Sequence, residues 1–142
     1  MPTLTASAYS RVAREAIPGV NSITIAYNSG STEVENSATK ILLARLPNHC
    51  KVLDIIEYHT TGAASCPISY GVGSDIDALA TDLTQAVTNR ATAPMPIQIS
   101  LTDTSIPLYE VFHATATPGT ATASLKLSVA VLYQPNSPAG DL

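Results

Sequence analysis

TATASLKLSVAVLY, residues 120–133, decides the fold class. Every odd position is apolar (Ala121, Ala123, Leu125, Leu127, Val129, Val131, Tyr133), and the even positions open with Thr120, Thr122, Ser124, Lys126 and Ser128. Side chains alternate faces along a strand, so this period of two gives one apolar stripe and one wet face. The wet face dries at Ala130 and Leu132, where cover by another element or another subunit is expected to begin. At about 3.4 Å per residue, the run would reach roughly 45 Å and span a whole domain.

The rest of the chain fits that reading. Its 142 residues are enough for one domain with one core. Ten prolines, and Thr, Ser and Ala between short apolar runs, point to an all-β protein. Hydrophobic residues make up 45% and charged residues only 13%, about half the usual charged fraction. So little charge suggests that part of the surface meets other subunits, because interface cores are depleted of charge. A net charge of -4 with seven scattered basic residues excludes nucleic acid as the main partner, since phosphate binding needs clustered Lys and Arg. No apolar run has the length of a membrane-spanning helix, and the N-terminus lacks the apolar core of a secretory signal. The expected product is a soluble, unexported chain with no membrane partner.

Residues 1–19 read as an N-terminal arm. Ser10 is a candidate N-cap, Arg11, Val12, Arg14 and Ile17 lie in one or two helical turns, and Pro18-Gly19 stops them. So short a helix needs something to lie against, and the terminus is expected either to fray or to dock as an arm on a neighbouring subunit. Residues 20–134 form the expected β-sandwich, with strands at 20–27, 38–46, 51–59, 65–72, 97–101, 108–115 and 120–133. Two runs, Ile41-Leu42-Leu43 and residues 52–56, are apolar on both faces, as in central or interface strands. In the strand at 51–59, Val52, Ile56 and Tyr58 are assigned to one face and Leu53 and Ile55 to the other. Pro67 places 65–72 at a sheet edge or a strand start.

Residues 74–90 break the pattern. Ser74, Asp75 and Asp77 followed by Ile76, Leu79, Ala80, Leu83 and Val87 at helical spacing predict a short helix or a loop excursion. Residues 135–142 read as a flexible tail. The architecture expected is an antiparallel two-sheet β-sandwich, jelly-roll-like, with an immunoglobulin-like sandwich as the alternative.

A search for chemistry finds no catalytic constellation. His49, His59 and His113 lack metal-ligand spacing, and Asp75 and Asp77 lack the remaining ligands of a calcium loop, so no metal or other cofactor is expected. His49 and Cys50 are adjacent and point to opposite faces of an extended chain, which makes them a poor nucleophile–base pair. No GxSxG elbow exists, and with no Trp and one Phe there is little surface for stacking sugars. The six tyrosines read as core-edge residues. Cys50 and Cys66 flank an expected hairpin with its turn near 60–64, whose register opposes Tyr58 to Cys66, so two free thiols are expected.

The segment ILLARLPNHCKVLDIIEYHTTGAASCPISYGVGSDIDALA, residues 41–80, resembles small structural proteins encoded near the capsid genes of tailed bacteriophages. It combines an apolar strand ending in LP, a KVLDI strand, a small-residue turn and a glycine-bounded strand running into DxDAL. The resemblance is to capsid decoration, or cement, proteins, and it implies a β-sandwich or jelly roll, often trimeric, that binds the capsid exterior and reinforces the shell. The implied partners are the major capsid protein and further copies of the chain, with a trimer favoured. The implied location is the virion surface after synthesis in the host cytoplasm. No catalytic residue comes with the resemblance. Arg11, Val12, Arg14, Ile17, Ala130 and Leu132 are the expected subunit or capsid contacts. A phage neck, tail or fibre-associated structural protein, and a carbohydrate-binding β-sandwich module, are the alternatives.

Overall fold

The computed structural model describes residues 3–10, 20–31, 33–35, 37–47, 50–60, 66–83, 88–90, 97–98, 109–121 and 124–134. Ten strands follow in chain order: β1 (Thr3–Thr5), β2 (Asn21–Asn28), β3 (Thr39–Pro47), β4 (Lys51–Thr60), β5 (Ile68–Val72), β6 (Asp75–Leu83), β7 (Thr88–Arg90), β8 (Ile97–Gln98), β9 (Tyr109–Ala116) and β10 (Lys126–Gln134). One 3₁₀ turn, Ser7–Ser10, lies between β1 and β2.

The strands make two sheets. The first runs β1-β3-β9-β5-β6; the second runs β2-β10-β4-β7, with β8 also pairing β4. The chain passes from one sheet to the other between β2 and β3, β3 and β4, and β4 and β5. Together with the order of the two sheets, this is the jelly-roll arrangement. All pairings are antiparallel except the short parallel join of β1 to β3.

The core fills the space between the sheets. Ile25, Val52, Ile55, Val129, Val131 and Tyr133 come from the second sheet, and Ile41, Ala44, Phe112, Ala114, Tyr70 and Ile68 from the first. Tyr70 and Phe112 stack with ring centroids 5.9 Å apart and planes 13° from parallel. Such a pair adds about 0.5–1.5 kcal/mol beyond its burial.

Four local expectations are corrected. The excursion at 74–90 is not helical, because β6 and β7 occupy most of it. The helical spacing arises because β6 is bulged. Ile68 faces Leu83 and Tyr70 faces Ala80, so three β6 positions match two on β5, and Ala80 and Leu83 come to share a face. The long C-terminal strand begins at Lys126, not at 120. Ser124 has φ of 63°, outside the extended region, and its N–H and hydroxyl both meet the Gly30 carbonyl.

β4 and β5 are not a hairpin, since they lie in different sheets. Cys50 and Cys66 are nonetheless both buried thiols, not joined in a disulfide. Finally, Val52 and Ile55 share the inner face of β4, because Leu53 is an unopposed bulge between Asp54↔Leu132 and Val52↔Tyr133. A bulge at Leu43 likewise accounts for the doubly apolar run of β3. Pro67 directly precedes β5, a central strand, so it marks a strand start.

Candidate functional site

The outer face of the second sheet follows from the register of β2, β10 and β4. Rows run Asn28–Lys126–Thr60, Ala26–Ser128–Tyr58, Thr24–Ala130–Ile56 and Ser22–Leu132–Asp54. Lys126 and Ser128 are exposed, whereas Ala130, Leu132, Ile56 and the bulged Leu53 are half-buried. Tyr58 is 44% exposed, one of three exposed large apolar side chains among the described residues. The sheet therefore carries a polar end, and toward its other end a shallow apolar area centred on Ala130 and Ile56.

The N-terminal residues dock on their own domain. Ala6 N–H donates to the Leu42 carbonyl at 2.8 Å, and Arg45 Nε donates to the Tyr9 carbonyl at 3.2 Å. The Arg45 guanidinium also stands 5.1 Å from the Tyr9 ring centroid, a cation–π contact. Arg11, Val12, Arg14 and Ile17, the remaining expected contacts, lie outside the described residues, as do His49 and the tail at 135–142.

Between the sheets lies a polar cluster that sequence reasoning missed. Glu57 and His59, two apart on β4, both face inward and are fully buried. His59 Nδ1 lies 2.9 and 3.0 Å from the two Glu57 carboxyl oxygens, and the Tyr70 hydroxyl donates to Glu57 Oε2 at 3.2 Å. Burial, reinforced by the neighbouring Glu57, holds the Tyr70 hydroxyl well above its usual pKa of 10. The signal was present in IIEYH, where Glu57 and His59 fall in phase with the inward Ile55.

A second polar pair lies on the outer side of the first sheet. His113 faces Leu42 and Gly71, pointing opposite to the inward Phe112 and Ala114, and Thr115 shares its face. The start of β6 folds back over this surface: a Cβ on Gly71 would collide with the Asp75 carbonyl and the Ile76 backbone, so only glycine fits. Lys40 Nζ reaches the Gly73 carbonyl at 3.4 Å. His113 is fully buried, and among the described residues neither its ring nitrogens nor Thr115 Oγ1 makes a well-formed hydrogen bond, the Gly73 backbone offering His113 only a weak one. Burial, helped by Lys40, lowers the His113 pKa to about 4, with the Gly73 backbone and Asp75 opposing.

Cys66 is likewise buried, which pushes its thiol up to about 11 against a contrary hydrogen bond from the Thr117 backbone. Among the described residues, no three His, Cys, Asp or Glu side chains gather as metal ligands, and no helix is long and apolar enough to cross a membrane. Asp75 and Asp77 are exposed on a strand, where a helix dipole plays no part.

No protein-family model and no curated protein matches the chain. Among solved structures, it is similar to a chain of the cyanophage Pam1 capsid asymmetric unit. The match has a TM-score of 0.58 at 15% identity and covers 87% of this chain and 94% of that one. At that identity the likeness establishes a shared sandwich fold along nearly the full length of both chains.

Proposed function

We propose that this protein is a non-enzymatic virion structural component that binds the outside of an assembled phage capsid and stabilises it. The observation that carries the reading is the end-to-end likeness to a chain found within a phage capsid asymmetric unit. Scarce charge and the apolar area around Ile56, Tyr58, Ala130 and Leu132 support adhesion as the mode of action. Ala130 and Leu132, together with Arg11, Val12, Arg14 and Ile17, are the proposed contacts with the major capsid protein or with further copies of the chain.

Mass spectrometry of gradient-purified particles from the virus that carries the gene tests this reading. The chain is expected in fixed stoichiometry to the major capsid protein. Its absence from particles, with abundant protein left in the infected-cell lysate, would defeat the proposal.

A further inference from the structure

We infer that the open edge of β2 is a self-pairing surface, on which a second copy of the chain adds its own β2 antiparallel about a two-fold axis. Among the described residues, β10 pairs one side of β2 and no strand pairs the other over residues 22–28. The phase of the ladder fixes which groups are open. Ser29 N–H donates to the Leu125 carbonyl, so Tyr27, Ile25 and Ile23 exchange their bonds with β10, and Ser22, Thr24, Ala26 and Asn28 turn theirs outward.

The other edges are guarded, and β2 is not. β6 carries exposed Asp75 and Asp77 and two register shifts; β1 and β7 are three residues long and β8 is two. Charge, bulges and shortness are the usual defences of an edge strand. β2 has eight residues, an unbroken register with β10, no proline and none of the chain's charged residues.

The edge is its own complement: the outward groups at 22, 24, 26 and 28 are symmetric about Ile25 and none is charged, so a second copy turned through a two-fold meets every outward N–H and C=O with a partner and buries no charge. With Ile25 on the axis, outward-facing Thr24 lies opposite Ala26 of the second copy and Ser22 opposite Asn28, forming about eight backbone hydrogen bonds in the complete ladder. On the inner face, Ile23 meets Tyr27 of the second copy. Both are only half-buried at the margin of the core, and pairing would cover them. The result is one continuous sheet across two sandwiches, a two-fold pair instead of the trimer expected from family resemblance. The inference is independent of any shell.

Sedimentation velocity of the full chain across the micromolar range tests it, with far-UV circular dichroism as a check on folding. Wild type is expected as a dimer. Thr24→Pro removes an outward N–H while sparing the bonds to β10, and is expected to sediment as a folded monomer. Charge exchange decides the matter even if that variant fails to fold. Thr24→Lys with Ala26→Lys opposes like charges and should weaken the dimer at least about tenfold, whereas Thr24→Lys with Ala26→Glu opposes unlike charges and should retain it. A monomeric wild type, a trimeric mass, or double-lysine and Lys/Glu variants that assemble equally well would overturn the inference.

Discussion

Two buried polar groups of this sandwich differ in how far their hydrogen bonds are made. Glu57, His59 and Tyr70 meet between the sheets and bond to one another, leaving only His59 Nε2 without a partner among the described residues, whereas on the outer side of the first sheet neither the His113 ring nitrogens nor Thr115 Oγ1 makes a well-formed hydrogen bond among them. A buried polar group with its hydrogen bonds made costs little and fixes geometry; one left without them keeps its desolvation penalty. The core cluster should therefore act as a clasp between the sheets, since Glu57 and His59 belong to the second and Tyr70 to the first. The outer pair should be the place where the fold yields.

The largest expected effect comes from breaking the clasp. Glu57→Ala strands His59 and the Tyr70 hydroxyl in the core and should lower unfolding stability by about 3–5 kcal/mol, read by urea denaturation. A loss under about 1 kcal/mol would mean that the cluster holds nothing together.

Next comes acid. His113 is held neutral in the fold with a pKa of about 4, whereas the unfolded ring titrates near 6.5, so below 6.5 the unfolded chain takes up the proton first. Stability is unaffected by this group above pH 6.5 and falls as pH drops from there toward 4, by about 2 kcal/mol after allowing for solvent screening. His113→Leu should flatten that part of the profile and, at neutral pH, leave stability unchanged or slightly improved, because it removes a buried imidazole that lacks well-formed hydrogen bonds among the described residues. An unchanged acid slope in the variant would assign the lability elsewhere.

Tyr70→Phe removes a single donor to Glu57 while preserving the stack on Phe112, and should cost about 1 kcal/mol. The smallest perturbation is chemical labelling. With its thiol raised to about 11 and buried, Cys66 should resist alkylation in the native protein at pH 8 and react once unfolded. Rapid native labelling would show that the segment entering β5 opens on its own.

What could be read in the sequence followed the regularity of the ladders. From Lys126 to Leu132, β10 pairs both neighbours without a break, and its period of two gave the sandwich and the wet face correctly. Where the ladder is bulged, periodicity misled. Leu53 shifted the phase of β4, and the register shifts of β6 made a strand look helical. The alternation upstream of Lys126 continued past a true strand end, because a left-handed Ser124 leaves no trace in an apolar–polar pattern. That Cys50 and Cys66 stay thiols was anticipated, though from a hairpin that does not exist. The Glu57 clasp escaped notice because its third member, Tyr70, comes from the opposite sheet, a contact that spacing along one strand cannot express.

The central claim, adhesion to a capsid exterior, is tested most directly by a cryo-electron microscopy reconstruction of purified particles at side-chain resolution. The account predicts this sandwich as density on the outer side of the shell, with the face bearing Ile56, Tyr58, Ala130 and Leu132, or the arm at 11–17, turned toward the major capsid protein. Finding the chain only in the neck or tail, or inside the shell, would contradict it.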